Sequence, residues 1–217
     1  MLKNIKGAIF DMDGTLIDSM WVWSKIDEEY LKKRNIVLPS NLKEDIEHMG
    51  FTEVAQYFKD RFNISDTIEE IQREWNAMAI NQYTHHVSLK PGAKEFLYLL
   101  KTKGIKIALA TSNCIPLIEI ALKRNNIYHY FDSITTTDEV SRGKDFPDVY
   151  LLASKRLMLN PKECVVFEDI LPAVKGAKAA GMTVIGVHDS YSEYQKEDIM
   201  NSADMYILQY KELIEAV

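Results

Sequence analysis

Apolar positions along this chain follow two alternating rhythms. Short, continuous apolar runs at residues 5–10, 105–110, 164–167 and 183–187 have the length of buried strands, and weaker runs occupy 133–136 and 205–207. Helical spacing fills the stretches between them. Residues 93–103 carry Phe96, Leu97, Leu99 and Leu100 on one side and stop at Gly104, a residue suited to ending a helix. Residues 116–126, 147–158 and 171–180 read as three more helices, the last stopping at Gly181. Strands alternating with helices of this length predict right-handed crossovers and a parallel sheet, an α/β fold of Rossmann-like type.

The alternation breaks between residues 17 and 87. Trp21, Trp23, Ile26, Tyr30 and Leu31 mark one helix there; Val54, Phe58 and Phe62 mark a second; Ile68, Ile71, Trp75 and Met78 mark a third. No convincing strand lies among them. A small helical domain at 17–87, inserted into an α/β domain built from 1–16 and 88–217, is the expectation. Its hinges fall at 15–18 and 86–91, the latter ending at Pro91-Gly92.

Composition narrows the function only a little. With 217 residues, 47% of them hydrophobic and 27% charged, the chain has an ordinary globular make-up and length for a large core. The net charge of −6 and the absence of a basic stripe argue against nucleic acid; short basic runs such as Lys32-Lys33-Arg34 suit a solvated helix face. No run approaches the roughly 20 apolar residues of a membrane span. The opening apolar run is too short for a signal-peptide core and is cut by Asp11 and Asp13, so a cytoplasmic protein is expected. Cys114 and Cys164, far apart and beside apolar runs, read as free buried thiols. A monomer is the default.

The chemistry starts with Asp11-Met12-Asp13-Gly14-Thr15, directly after the first strand. Residues two apart in extended chain point the same way, so Asp11 and Asp13 can reach one pocket at the strand's carboxyl end, where open α/β sheets bind ligands. Two close carboxylates repel unless a cation intervenes or one holds a proton. That suits one as a nucleophile and the other as an acid, then a base. A calcium loop would need an acid or Asn, Gly and Glu where Thr15, Leu16 and Val22 stand, and is excluded.

Three later segments add to this. Thr111-Ser112-Asn113 ends another strand and offers hydroxyl and amide donors for phosphoryl oxygens; an ordinary helix N-cap is the alternative. Lys144, after Gly143, could neutralise carboxylate and phosphate, or be a surface lysine. A Walker loop is excluded, because Asp138 and Asp145 stand where it needs Gly and Ser or Thr. Glu168-Asp169 follows the run at 164–167 and could hold a hard cation through oxygen, with Asp169 alternatively capping the next helix. His85-His86 makes a poor metal pair, since neighbours in extended chain point apart.

These four motifs in this order resemble the haloacid dehalogenase superfamily, over essentially the whole chain. The stretches FDMDGTLIDS, LKPGAKEFLYLLKTKGIKIALATSN, GKDFPDVY and FEDILPAVKGAKAAGM are similar to the subgroup with a helical cap inserted after the first motif, which includes phosphoglycolate phosphatases, β-phosphoglucomutases and sugar-phosphate phosphatases. The resemblance implies Asp11 as nucleophile and magnesium ligand, and Asp13 as general acid/base that also offers its backbone carbonyl to Mg2+. It implies Thr111 for phosphate binding with Ser112 or Asn113, Lys144 beside nucleophile and phosphate, and Asp169 on magnesium with Glu168 direct or through water. The substrate implied is a small phosphorylated metabolite. Dehalogenases of the superfamily lack the second aspartate of the first motif, so Asp13 favours phosphate.

A mutase is the nearest rival. By spacing, Trp23 stands where β-phosphoglucomutases carry a cap histidine, and Glu47-His48-Met49-Gly50-Phe51 lacks their arginine; both favour hydrolysis. A phosphonatase would want a cap lysine, and none of Lys25, Lys32 and Lys33 stands out. A non-catalytic phosphate-binding protein is the remaining reading, and the intact motif residues count against it. Trp21, Trp23, His48, Met49 and Phe51 are the candidate specificity residues of the cap, with plain cap core as the alternative for the tryptophans.

Overall fold

A computed structural model describes residues 4–46 and 49–215. Chain order runs β1 (Gly7–Phe10), β2 (Ile17–Asp18), α1 (Met20–Lys33), α2 (Leu42–Ile46), α3 (Phe51–Phe62), α4 (Ile68–His85), β3 (Ser88–Leu89), α5 (Ala93–Thr102), β4 (Lys106–Thr111) and α6 (Ile115–Arg124). It continues with β5 (Ser133–Thr136), α7 (Asp148–Arg156), β6 (Cys164–Glu168), α8 (Leu171–Ala179), β7 (Thr183–Val187), α9 (Lys196–Ser202), β8 (Met205–Ile207) and α10 (Lys211–Glu215). Six strands form one parallel sheet in the order β5-β4-β1-β6-β7-β8. The expected α/β class with a parallel sheet is therefore observed.

Strand β1 is the switch point of this order. The chain moves outward through β4 and β5, then crosses back to pair β6 on the other side of β1. In such sheets the crevice at the carboxyl ends, where the order reverses, is where ligands bind. All four β1 residues are buried, as a central strand with helices on both faces requires. Two apolar layers cover the faces. One holds Phe10, Phe96, Phe167 and Tyr210, with the Phe10 and Phe167 rings stacked at 4.4 Å. The other holds Ile9, Val149, Val166 and Val174.

Helices α1 to α4 lie between two chain crossings, which pair antiparallel through Ile17↔Leu89 and Asp18↔Ser88. Their apolar stripes meet around Tyr30, Phe58 and Trp75, whose rings contact edge to face at 4.9 to 6.0 Å. Helix α4 opens on a capping box: Thr67 Oγ1 accepts from the Glu70 amide and the Glu70 carboxylate accepts from the Thr67 amide. At its far end Arg124, on α6, donates to the carbonyls of Thr84, His85 and Val87, which would otherwise be orphaned at the helix terminus.

Several local expectations need correction. The first strand begins at Gly7, because Ile5 precedes the paired segment. Helix α2 and strand β2 lie inside the stretch read as three helices, and both are too short for any periodicity to show. Cys114 is half-buried; it and Cys164 are free. Arg34 is tied to Asp66 and Glu74 and lies 3.7 Å above the Tyr30 ring, so it is not simply solvated. Among the described residues no helix is long and apolar enough to cross a membrane.

Gly176 decides how closely α8 can approach the loop carrying Lys144. A Cβ there would stand 2.0 Å from the Lys144 carbonyl oxygen, an impossible contact against backbone. Gly176→Ala should therefore lower stability by about 1–3 kcal/mol, the usual cost of overpacking, and shift the Lys144 loop. Urea unfolding would measure it; an unchanged midpoint would show that the loop yields freely.

Candidate active site

Parallel pairing brings three motifs side by side. Phe10 is level with Leu109 on β4 and with Phe167 on β6, so Asp11, Thr111 and Glu168-Asp169 emerge together at the carboxyl edge. The Asp11 amide still donates to the Phe167 carbonyl at 3.1 Å, which holds the first residue beyond the strand in register. Gly14 then turns the chain at φ +80, a conformation that favours glycine, and a Cβ there would sit 2.2 Å from Asp169 Oδ2.

Asp11, Glu168 and Asp169 are all buried, and one carboxylate oxygen from each lies within 4.8 Å of the others. Lys144, also buried, sits between two of them: its Nζ is 2.5 Å from Asp11 Oδ1 and 2.7 Å from Glu168 Oε1. The Tyr150 hydroxyl donates to the same Glu168 oxygen at 2.8 Å. Thr15 Oγ1 donates to Asp169 Oδ1 at 2.9 Å. Glu168 Oε2 is buried without a hydrogen-bond partner.

The electrostatics follow from three buried acids, two of which contact one ammonium. Burial raises Asp11, Lys144 pulls it back, and Glu168 and Asp13 raise it again, leaving it at about 7. Burial, then Asp11 and Glu168, pushes Asp169 well above the usual carboxylate range. Glu168 is raised by burial against the opposing pull of Lys144. Burial would depress the Lys144 ammonium, but Asp11 and Glu168 outweigh it and raise its pKa. An all-oxygen donor set, an excess of buried negative charge and the orphaned Glu168 Oε2 fit a hard divalent cation such as magnesium.

Asp13 belongs to a second cluster. Its side chain lies outside the carboxylate trio and accepts from Ser19 Oγ at 2.6 Å, from Asn113 Nδ2 at 2.9 Å and from the Tyr83 hydroxyl. Tyr83 is fully buried on the last turn of α4, and sequence reasoning missed it. Its i+4 spacing from Ala79 reads as core, and nothing in the sequence shows that its hydroxyl meets Asp13. Tyr150 was missed for the same reason.

Asp11, Asp13, Thr111, Ser112, Asn113, Lys144 and Asp169 all line one cavity of about 190 Å³. The helix-cap alternatives fail: Cys114 stands at the N-cap of α6 and Ile170 at that of α8, neither with a side-chain cap bond. Thr111 Oγ1 instead accepts from the Asn113 amide at 3.1 Å. From the helical insertion, Trp23, Met49 and Phe51 line the cavity. Trp21 is not among its lining residues, and His48 lies outside the described residues. The insertion also contributes Ser24, Asp27, Lys43 and Trp75 to the lining, of which only Trp75 was singled out by sequence, as a helix marker.

A parallel sheet whose switch point gathers buried carboxylates beside one lysine, with inserted helices lining the same cavity, defines an α/β enzyme with a buried acidic centre. A family model described as haloacid dehalogenase-like hydrolase matches residues 8–187, so the chain belongs to that family. It is 30% identical over 190 residues to a phosphorylated carbohydrates phosphatase of Thermotoga maritima, covering 87% of this chain and 88% of that protein. It is 33% identical over 190 residues to a bifunctional riboflavin kinase/FMN phosphatase of Arabidopsis thaliana, covering 86% of this chain but spanning only 49% of that longer protein. The crystal structure of CbbY from Rhodobacter sphaeroides in complex with phosphate superposes with a TM-score of 0.85 over 96% of both chains; at 24% identity it speaks for the fold.

The buried carboxylate centre makes stability depend on pH. Below its ordinary 3.8, Asp11 is protonated whether folded or unfolded; between 3.8 and about 7 the folded chain keeps a proton that the unfolded chain has released. Stability of the metal-free protein therefore falls as pH rises through that window. Magnesium held by these carboxylates would displace the retained protons, so the gain in melting temperature on adding it should grow from pH 4 to pH 7. Thermal scans in chelator and in excess magnesium would measure this, and a pH-independent gain would contradict it.

Proposed function

We propose that this chain is a phosphoric monoester hydrolase that acts, as a magnesium-dependent monomeric enzyme of the cytoplasm, on a small phosphorylated metabolite through an aspartyl-phosphate intermediate. The observation that carries it is the buried contact between Lys144 and Asp11, with oxygens of Glu168 and Asp169 within 4.8 Å of the Asp11 oxygen.

Asp11 attacks phosphorus in line, and the ester bond to the leaving oxygen breaks. Asp13 delivers the proton that the leaving oxygen needs. A water then attacks phosphorus, Asp13 takes its proton, and the bond to Asp11 breaks to release inorganic phosphate. Thr111, Ser112 and Asn113 offer donors to the phosphoryl oxygens, and the Lys144 ammonium lies beside both nucleophile and phosphate. Magnesium, held by Asp11, Asp169 and the Asp13 carbonyl, with Glu168 direct or through water, supplies neutralising charge for the phosphoryl oxygens when bound. Ser19, Tyr83 and Asn113 hold Asp13 in place, and through Tyr83 the inserted helices touch the acid/base itself. Hydrolysis is favoured over mutase chemistry because Trp23, at the cavity wall, offers an indole donor and no base.

Two experiments test the reading. Asp11→Asn should lower turnover of an aryl phosphate by about 10³-fold or more while circular dichroism stays native; near-normal activity would refute the nucleophile. Glucose 1-phosphate separates the two chemistries: inorganic phosphate is the expected product, whereas accumulation of glucose 6-phosphate would make the enzyme a mutase.

A further inference from the structure

Helix α1 divides its side chains between two environments. Val22, Ile26 and Tyr30 are buried at i+4 spacing against the neighbouring helices. Met20, Trp23, Ser24 and Asp27, at i+3 and i+4 spacing, face the cavity that holds Asp11 and Lys144. Asp27 is thus a carboxylate that the inserted helices bring to the cavity lined by the motif residues. It is half-buried, and among the described residues nothing hydrogen-bonds to it or pairs with it. Burial alone raises its carboxyl to about 7. The lining around it from the insertion is largely apolar, with Trp23, Phe51 and Trp75 prominent. No protein group among the described residues satisfies this half-buried carboxyl, so its partner is solvent until a ligand with a matching polar group replaces it.

We propose that Asp27 is a specificity-determining residue whose missing partner is a hydroxyl of the substrate, carried at the end away from the phosphoryl group. This rests on the phosphatase reading and narrows it to esters of neutral, polyhydroxylated molecules. The chemistry discriminates in both directions. A hydroxyl can donate to the ionised carboxylate and accept from the protonated acid, so it satisfies Asp27 in either state. A second substrate carboxylate seated against Asp27 would set like charge against like, with Lys43 the only cation the insertion adds to the same lining among the described residues, and an aryl ester would leave Asp27 unpaired. Ser24, one turn before Asp27, adds a hydroxyl to the same stripe.

The test compares wild type, Asp27→Asn and Asp27→Ala on glycerol 3-phosphate, glucose 6-phosphate, phosphoglycolate and 4-nitrophenyl phosphate, read as phosphate release with magnesium. Wild type should favour the better polyhydroxylated ester over phosphoglycolate by at least tenfold in kcat/KM. Asp27→Ala should lower kcat/KM for that ester at least tenfold more than for 4-nitrophenyl phosphate, mostly through KM, and Asp27→Asn should recover part of the loss. Should Asp27→Ala fail to fold, Asp27→Asn carries the comparison, with a smaller loss of the same selectivity. Equal losses on all substrates, or no loss, overturn the assignment of Asp27, as does a wild type that hydrolyses only the aryl ester. A wild type silent on every ester overturns the phosphatase reading with it.

Discussion

The structure depends on one electrostatic constraint: three carboxylates are buried within reach of one another, and one lysine contacts two of them. At the separations seen, each like-charged pair costs at least about 3 kcal/mol at an effective dielectric of about 20. Lys144 relieves part of that by contacting Asp11 and Glu168. Asp169 accepts from the Thr15 hydroxyl and has no cation beside it among the described residues. An uncompensated cluster of this kind is costly to fold, and strongly perturbed carboxylates gathered in one cleft mark a functional site.

Much of the surrounding architecture exists to place those groups. The switch in strand order puts β1 between β4 and β6, so three strand ends open onto the same crevice. Gly14 and Gly176 mark the two places where backbone must approach so closely that a side chain is excluded, one against Asp169 and one against the Lys144 loop. The helices inserted between β2 and β3 supply the opposite wall. Through Tyr83 they also reach Asp13, so that carboxylate is hydrogen-bonded to both parts of the molecule at once.

The strands and helices of the sheet region were legible because they are regular and long enough to show a period. Residues 183–187 and 205–207 match β7 and β8, and the helices differ from expectation only at their ends, where Cys114 and Ile170 take the cap positions. Helix α2, with five residues, was not legible, nor was β2, with two. The motif residues were legible only together: Asp11 and Asp13 after the first strand, Thr111 and Glu168-Asp169 at later strand ends and Lys144 in a loop resemble one family in that order, while each later motif alone reads as a cap or a surface residue. Tyr83, Tyr150 and Asp27 were not. A buried tyrosine and a helical aspartate occur in any globular chain, and only their neighbours in space distinguish them.

By itself the sequence determined the alternation of strand and helix, the place of the insertion, and the identity of the residues from Asp11 to Asp169 that meet in the crevice. Those properties are local: they follow from periodicity, turn residues and short motifs. The tertiary structure decided that Glu168 leans on Lys144 and Tyr150, that Asp13 is held by Ser19, Tyr83 and Asn113, and that α1 turns Asp27 toward the cavity. Contacts such as Tyr83 to Asp13 join residues 70 positions apart. Such a pairing is set by how helices pack across the chain crossings, and no local pattern encodes it.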